Sequence, residues 1–212
     1  MRLHHIAIFA VFALIVVPEG TAADLYDNIG QPVSIDGNFS NGSWPALSFR
    51  TSTVSYILES VTIPVRNPNL LSSGTIAFVL YDSTGTGGAP GAAVGSALGS
   101  IPIADIAGAS YQNVTFSGLN RTLATNSNYW VTVQGAGISS VFFVGATTST
   151  GGTLAGSLGF SITNDAGSNW SAPSTSFYVI GQVTAVPEPS TYALGMIAAL
   201  AAGWVARRKS RI

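Results

Sequence analysis

The chain has 212 residues, 47% of them hydrophobic, with eight basic and nine acidic side chains and no cysteine. A formal net charge of −1 leaves no electrostatic footprint for nucleic acid, and the lack of cysteine excludes a disulfide-stapled fold. Both histidines (His4, His5) lie at the very start and the single lysine, Lys209, at the very end, so the stretch between them has neither. Serine–histidine, cysteine–histidine and serine–lysine nucleophile pairs, Schiff-base lysines and the common zinc and copper ligand sets are excluded there.

Met1-Arg2-Leu3-His4-His5 is a short basic start, followed by the apolar run Ile6–Val17 and the breakers Pro18, Glu19 and Gly20. Thr21-Ala22-Ala23 then supplies small residues before Asp24. This order predicts a secretory signal peptide over residues 1–23 that directs the chain to the Sec export machinery. Cleavage is expected between Ala23 and Asp24, or after Ala22.

Residues 24–185 suit one domain. Their acids are Asp24, Asp27, Asp36, Glu59, Asp82, Asp105 and Asp165, against Arg50, Arg66 and Arg121, a net charge near −4. Leu25–Gly30 opens the domain, and a polar stretch follows through Ser43. Trp44–Phe49 reads as a strand. Within Val54–Val65, Val61, Ile63 and Val65 alternate with Thr62 and Pro64, and Pro64 predicts an edge or an end. Thr75–Tyr81 is apolar on both faces and is expected to be a central strand.

The glycine-dense stretch Asp82–Gly91 lacks the lysine of a phosphate cradle, and its lone carboxylate, Asp82, is few for calcium, so a flexible connection is expected. Tyr111–Phe116, Tyr129–Gln134, Ile138–Val144 and Phe177–Val183 complete the predicted strands, with loops at Gly151-Gly152 and Asp165–Pro173. No stretch sustains a helical period over three turns, and no repeat is visible. The predicted class is all-β, an antiparallel β-sandwich of jelly-roll type.

Trp44 and Trp170 stand in polar, loop-like surroundings, where aromatic rings could stack on sugars, whereas Tyr129 and Trp130 in mid-strand read as core. A glycosidase would need two carboxylates. Glu59 is the one glutamate of the domain, and the aspartates stand in turn-like places where they bond their own backbone. No catalytic residue, metal ligand or cofactor is expected. The five Asn-X-Ser/Thr sequons follow from composition.

The end of the chain has three parts. Val186-Pro187-Glu188-Pro189-Ser190-Thr191 comes first, then the uncharged Tyr192–Ala206, then Arg207-Arg208-Lys209-Ser210-Arg211. As a helix, residues 192–206 cover roughly 23 Å, short of a ~30 Å hydrocarbon core, with Trp204 at the interface and the arginine and lysine stems able to snorkel. Arg207, Arg208, Lys209 and Arg211 would hold the C-terminus on the cytoplasmic side. The two prolines predict a segment outside any regular sheet, extended and accessible. A plain C-terminal anchor accounts for the last two parts alone, and a glycolipid-anchor signal has no basic stop.

The three parts in this order resemble the PEP-CTERM sorting signal, over about 26 residues. The resemblance implies recognition of Val186, Pro187, Glu188, Pro189 and Ser190 by an exosortase, in a Gram-negative bacterium that makes exopolysaccharide. It also implies removal of the tail after transient residence in the inner membrane. The middle resembles the choice-of-anchor domains, type R, through Tyr26-Asp27-Asn28-Ile29-Gly30, Val79-Leu80-Tyr81-Asp82 with Pro90-Gly91, and Leu123-Ala124 to Asn128-Tyr129-Trp130-Val131. No catalytic residue carries over from that family.

The sequence is thus read as a non-enzymatic, exported surface or exopolysaccharide-matrix protein of a biofilm, with structural or adhesive role. Its parts are a signal peptide (1–23), a sandwich (24–185) and a sorting segment (186–212, with the motif at 186–191, the helix at 192–206 and the stop at 207–211). The competing readings are a carbohydrate-binding module using Trp44 and Trp170, and a hydrolase using Glu59.

Overall fold

Alternating apolar residues build the strands, and short polar or glycine-rich links turn them back. In chain order these are β1 (Ala23–Asp27), β2 (Ile35–Phe39), β3 (Trp44–Arg50), β4 (Tyr56–Arg66), β5 (Thr75–Asp82), β6 (Gly99–Pro102), β7 (Gln112–Leu123), β8 (Asn128–Ala136), β9 (Phe142–Thr147), β10 (Phe160–Thr163), β11 (Tyr178–Val179) and β12 (Gln182–Pro187). The computed structural model describes residues 21–188 except 107, 109 and 155. The apolar run 6–17, Pro189, Ser190, the expected span 192–206 and the basic stop Arg207, Arg208, Lys209 and Arg211 lie outside the described residues. Among the described residues no helix is long and apolar enough to cross a membrane.

Two antiparallel sheets form. One runs β1-β12-β4-β9-β11, with β2 added on β9 and β7 on β4; the other runs β10-β3-β8-β5-β6. Their inward rows merge into one buried cluster. Leu47, Phe49, Ile76, Phe78, Leu80, Tyr129, Val131 and Val133 come from the second sheet, and Leu58, Val61, Ile63, Val65, Phe142, Val144, Val183 and Ala185 from the first. Phe78 meets Phe116 edge-on across the two sheets, ring centroids 5.0 Å apart. With no disulfide to help, burial of such side chains, at about 1.5–3 kcal/mol each, is what opposes chain entropy.

β4 shows how the pattern is read by the fold. Leu58 and Val61 are both fully buried although three positions apart, which simple alternation forbids. The register against both β7 and β12 shifts around Glu59, so a bulge restores the phase. On β7 the same irregularity uses Gly118 and Asn120, both at positive φ. The strand expected to stop at Phe116 therefore continues to Leu123, because its apparent breakers form a bulge inside it.

Several expectations are corrected. Pro64 lies within β4, not at its end: β12 flanks β4 up to Thr62 and β9 from Val65, and Pro64 occupies the seam between them, where a missing N–H costs little. β5 lies inside its sheet, but its second face (Ala77, Val79, Tyr81) is half-buried while Ile76, Phe78 and Leu80 are fully buried. The stretch 138–144 is strand from Phe142 onward. Residues 177–183 divide at Ile180-Gly181 into β11, which pairs β9, and β12, which pairs β4.

That division is fastened from β1. The Tyr26 hydroxyl donates to the Val179 carbonyl at 2.6 Å, the Asn28 carboxamide oxygen accepts from the Gly181 amide at 2.9 Å, and the Asn28 amide donates to the Gly181 carbonyl at 3.1 Å. Burial pushes the Tyr26 phenol far above its ordinary range, so it stays a neutral donor.

Candidate functional site

β1 begins and β12 finishes at the same end of the first sheet. β1 and β12 are antiparallel, and Ala23 lies opposite Ala185. The expected cleavage residues Ala23 and Asp24 are exposed on this outer strand, where the Asp24 carboxylate accepts from the Thr184 hydroxyl at 2.9 Å. Cleavage after Ala22 keeps the Ala23–Ala185 pair, and cleavage after Ala23 removes it.

The first two residues of the segment expected to lie free of any sheet, Val186 and Pro187, are part of one. Val186 lies opposite Ile57 and Pro187 opposite Tyr56, so β12 crosses the boundary drawn at Ala185. Pro187 is tolerated because it is the strand's last residue. Beyond it the Glu188 amide donates to the Ser55 carbonyl at 3.0 Å, and the Ser55 hydroxyl donates to the Glu188 carboxylate at 2.8 Å. Nothing in the sequence pointed to Ser55, which is 133 positions from Glu188.

Trp44 and Trp170 are brought together on the outer face of the second sheet, but they are half-buried, not open platforms. The loop after β10 folds back by pairing Ser171 to Ile162. It sets Trp170 edge-on to Tyr81, ring centroids 6.0 Å apart. Gly167 lies between the two indoles: a Cβ there would stand 3.0 Å from Trp44 and 3.9 Å from Trp170, and its φ of +88° suits glycine. The Trp44 indole donates to the Asn41 carbonyl at 2.9 Å, while the buried Trp170 Nε1 has no protein partner.

Asp165 organises that loop. Its carboxylate accepts from the Thr163 hydroxyl at 2.6 Å, the Asn169 carboxamide at 2.6 Å and the Asn169 amide at 2.8 Å. These bonds, the Thr163 hydroxyl first, lower its pKa to about 2. A depressed folded pKa gives stabilisation that is complete above the ordinary carboxylate value near 3.9 and is lost as pH falls through about 2. Carboxyl NMR titration is expected to place the Asp165 midpoint near 2; a midpoint near 4 would show that the loop is not held this way.

The loop expected to be flexible is closed by hydrogen bonds. The Asp82 carboxylate accepts from the Thr84 hydroxyl at 2.6 Å, the Ala92 amide at 2.9 Å and the Thr84 amide at 3.1 Å. Trp130, fully buried, donates from its indole to the Gly88 carbonyl at 3.0 Å. Asp82 thus has a structural task, and among the described residues no three His, Cys, Asp or Glu converge on one point. Beside it lies a shallow polar groove of about 340 Å³ lined by Asp82, Ser83, Thr84, Asn126, Ser127, Asn128 and Tyr129. Glu59 is half-buried in the β4 bulge.

Comparison with known proteins gives three results. The family model of the PEP-CTERM protein-sorting motif matches residues 185–209. That motif is therefore present, and it implies an exported protein processed by an exosortase, with a C-terminal tail anchored in the membrane beforehand. No curated protein matches the chain. Among solved structures, the chain is similar to the cysteine protease and lectin-like domains of Cwp84, a surface layer associated protein of Clostridium difficile. The identity is 14% and the TM-score 0.45, over 74% of this chain and 37% of that one, so this chain spans little more than a third of that chain's length.

Proposed function

We propose that the chain is a non-enzymatic structural or adhesive component of the cell surface or exopolysaccharide matrix, of the choice-of-anchor (type R) kind. It is exported by the Sec machinery on a signal peptide cut next to Ala23. It is then held in the inner membrane by residues 192–206 and released or transferred when an exosortase acts near Pro187–Pro189. The observation that carries this reading is the sorting motif at residues 185–209, which begins within the last strand of a β-sandwich. Intact mass and the C-terminal peptide of the protein recovered outside its native host cells test it. The expected chain ends near Val186–Ser190, free or with added mass. A chain that still carries Trp204 and the arginine cluster makes the tail a plain anchor and sinks the reading. Turnover of the host's polysaccharide that disappears in Glu59→Gln would overturn the non-enzymatic assignment.

A second reading, a carbohydrate-binding module, is favoured by the two indoles flanking Gly167 and by the unpartnered Trp170 Nε1. It predicts glycan-array binding that falls in Trp44→Ala and Trp170→Ala. Absence of binding to the host's own polysaccharide counts against it.

A further inference from the structure

We propose that the folded domain masks the first half of its own sorting signal, with Ser55 the positioning residue that keeps Glu188 from the processing enzyme. This rests on the reading of residues 185–209 as a processed sorting segment. An enzyme that recognises Pro-Glu-Pro must reach the Glu188 carboxylate and the backbone on either side of it. In the folded domain those groups are engaged. Val186 and Pro187 lie in register with Ile57 and Tyr56, the Glu188 amide bonds the Ser55 carbonyl, and the Glu188 carboxylate accepts from the Ser55 hydroxyl.

The geometry also says where the mask opens. Up to Ala185, β12 has β1 on one flank and β4 on the other, and Val183 and Ala185 are fully buried. From Val186 onward β4 is the strand it pairs with, and the side chains are half-buried. Pro187 brings no amide to the ladder. Residues 186–188 can therefore detach from β4 while 182–185 stay in the sheet, a local opening that costs far less than unfolding. Processing draws on that open fraction. The domain thus tunes how fast its own tail is removed, through a contact outside the motif.

The test follows the full-length precursor by pulse-chase in its native host. Ser55→Ala removes the hydroxyl bond, and a Gly-Ser-Gly insertion between Ala185 and Val186 lifts the motif off β4 without touching Val183 or Ala185. Both are expected to shorten the precursor's lifetime about threefold to tenfold, the scale of one or two hydrogen bonds at a half-exposed site. Ser55→Thr, which keeps the hydroxyl, is expected to restore the wild-type rate at an unchanged thermal midpoint. In purified full-length protein in detergent, the Glu188 amide is expected to exchange slowly, and faster in Ser55→Ala. Unchanged or slower processing in both variants overturns the mask, as does a wild-type Glu188 amide that exchanges like free peptide. A wild-type precursor that is never shortened, with that amide still protected, removes the sorting reading and this proposal together.

Discussion

A chain ending at Gly181 is expected to show no cooperative thermal unfolding, whereas one ending at Glu188 melts like the full domain. β12 is an interior strand, between β1 and β4. Its loss removes the fully buried Val183 and Ala185, strips β1 of its strand partner and uncovers the flank of β4 from Tyr56 to Thr62. Burial of one valine is worth about 1.5–3 kcal/mol and each net hydrogen bond about 0.5–1.5 kcal/mol, so the strand accounts for at least ~5 kcal/mol. Total stability of a domain is about 5–15 kcal/mol. Circular dichroism melts of the two truncations decide the matter. Equal midpoints would mean that β12 is dispensable and that processing could cut into it without harm.

Trp130→Ala is expected to destabilise the domain by about 3–5 kcal/mol, the usual cost of removing a large aromatic side chain from a closed site. Trp130 is fully buried on the face of the second sheet turned away from the main core. Its indole also donates to Gly88, so truncation unties the 82–91 loop as well as opening a cavity. Trp130→Phe keeps most of the packing and is expected to cost about 1–2 kcal/mol, mainly the hydrogen bond. Chemical denaturation at equilibrium separates the two. A loss below 1 kcal/mol in Trp130→Ala would show that the loop is not packed on this ring.

How much of this could be read from residues alone follows from the number of faces a strand buries. β3, β5 and β8 carry apolar residues at every second position and were legible. The bulge in β4 was not, since only the fold shows that Leu58 and Val61 share a face and that the phase shifts between them. β2, β6 and β10 were not either, because these three outer strands are only four or five residues long and carry few apolar residues. β2 reads Ile-Asp-Gly-Asn-Phe, and it is held partly by Arg66 bonded to Asp36 at 2.7 Å, a contact 30 positions apart.

The candidate sites divide in the same way. The sorting motif is a local string of residues that an enzyme reads in order, so Val186, Pro187 and Glu188 could be identified without a fold, and the match at 185–209 agrees. The apposition of Trp44 and Trp170 required the loop after β10 to fold back on its own sheet. Composition by itself determined that the region between residues 5 and 209 works without histidine, cysteine or lysine, and alternation determined an all-β class. Only the tertiary structure decided that β12 runs into the sorting motif and that Ser55 holds Glu188. Hydrogen bonds between strands join residues far apart in the chain, and local pattern carries no record of which distant carbonyl an amide will meet.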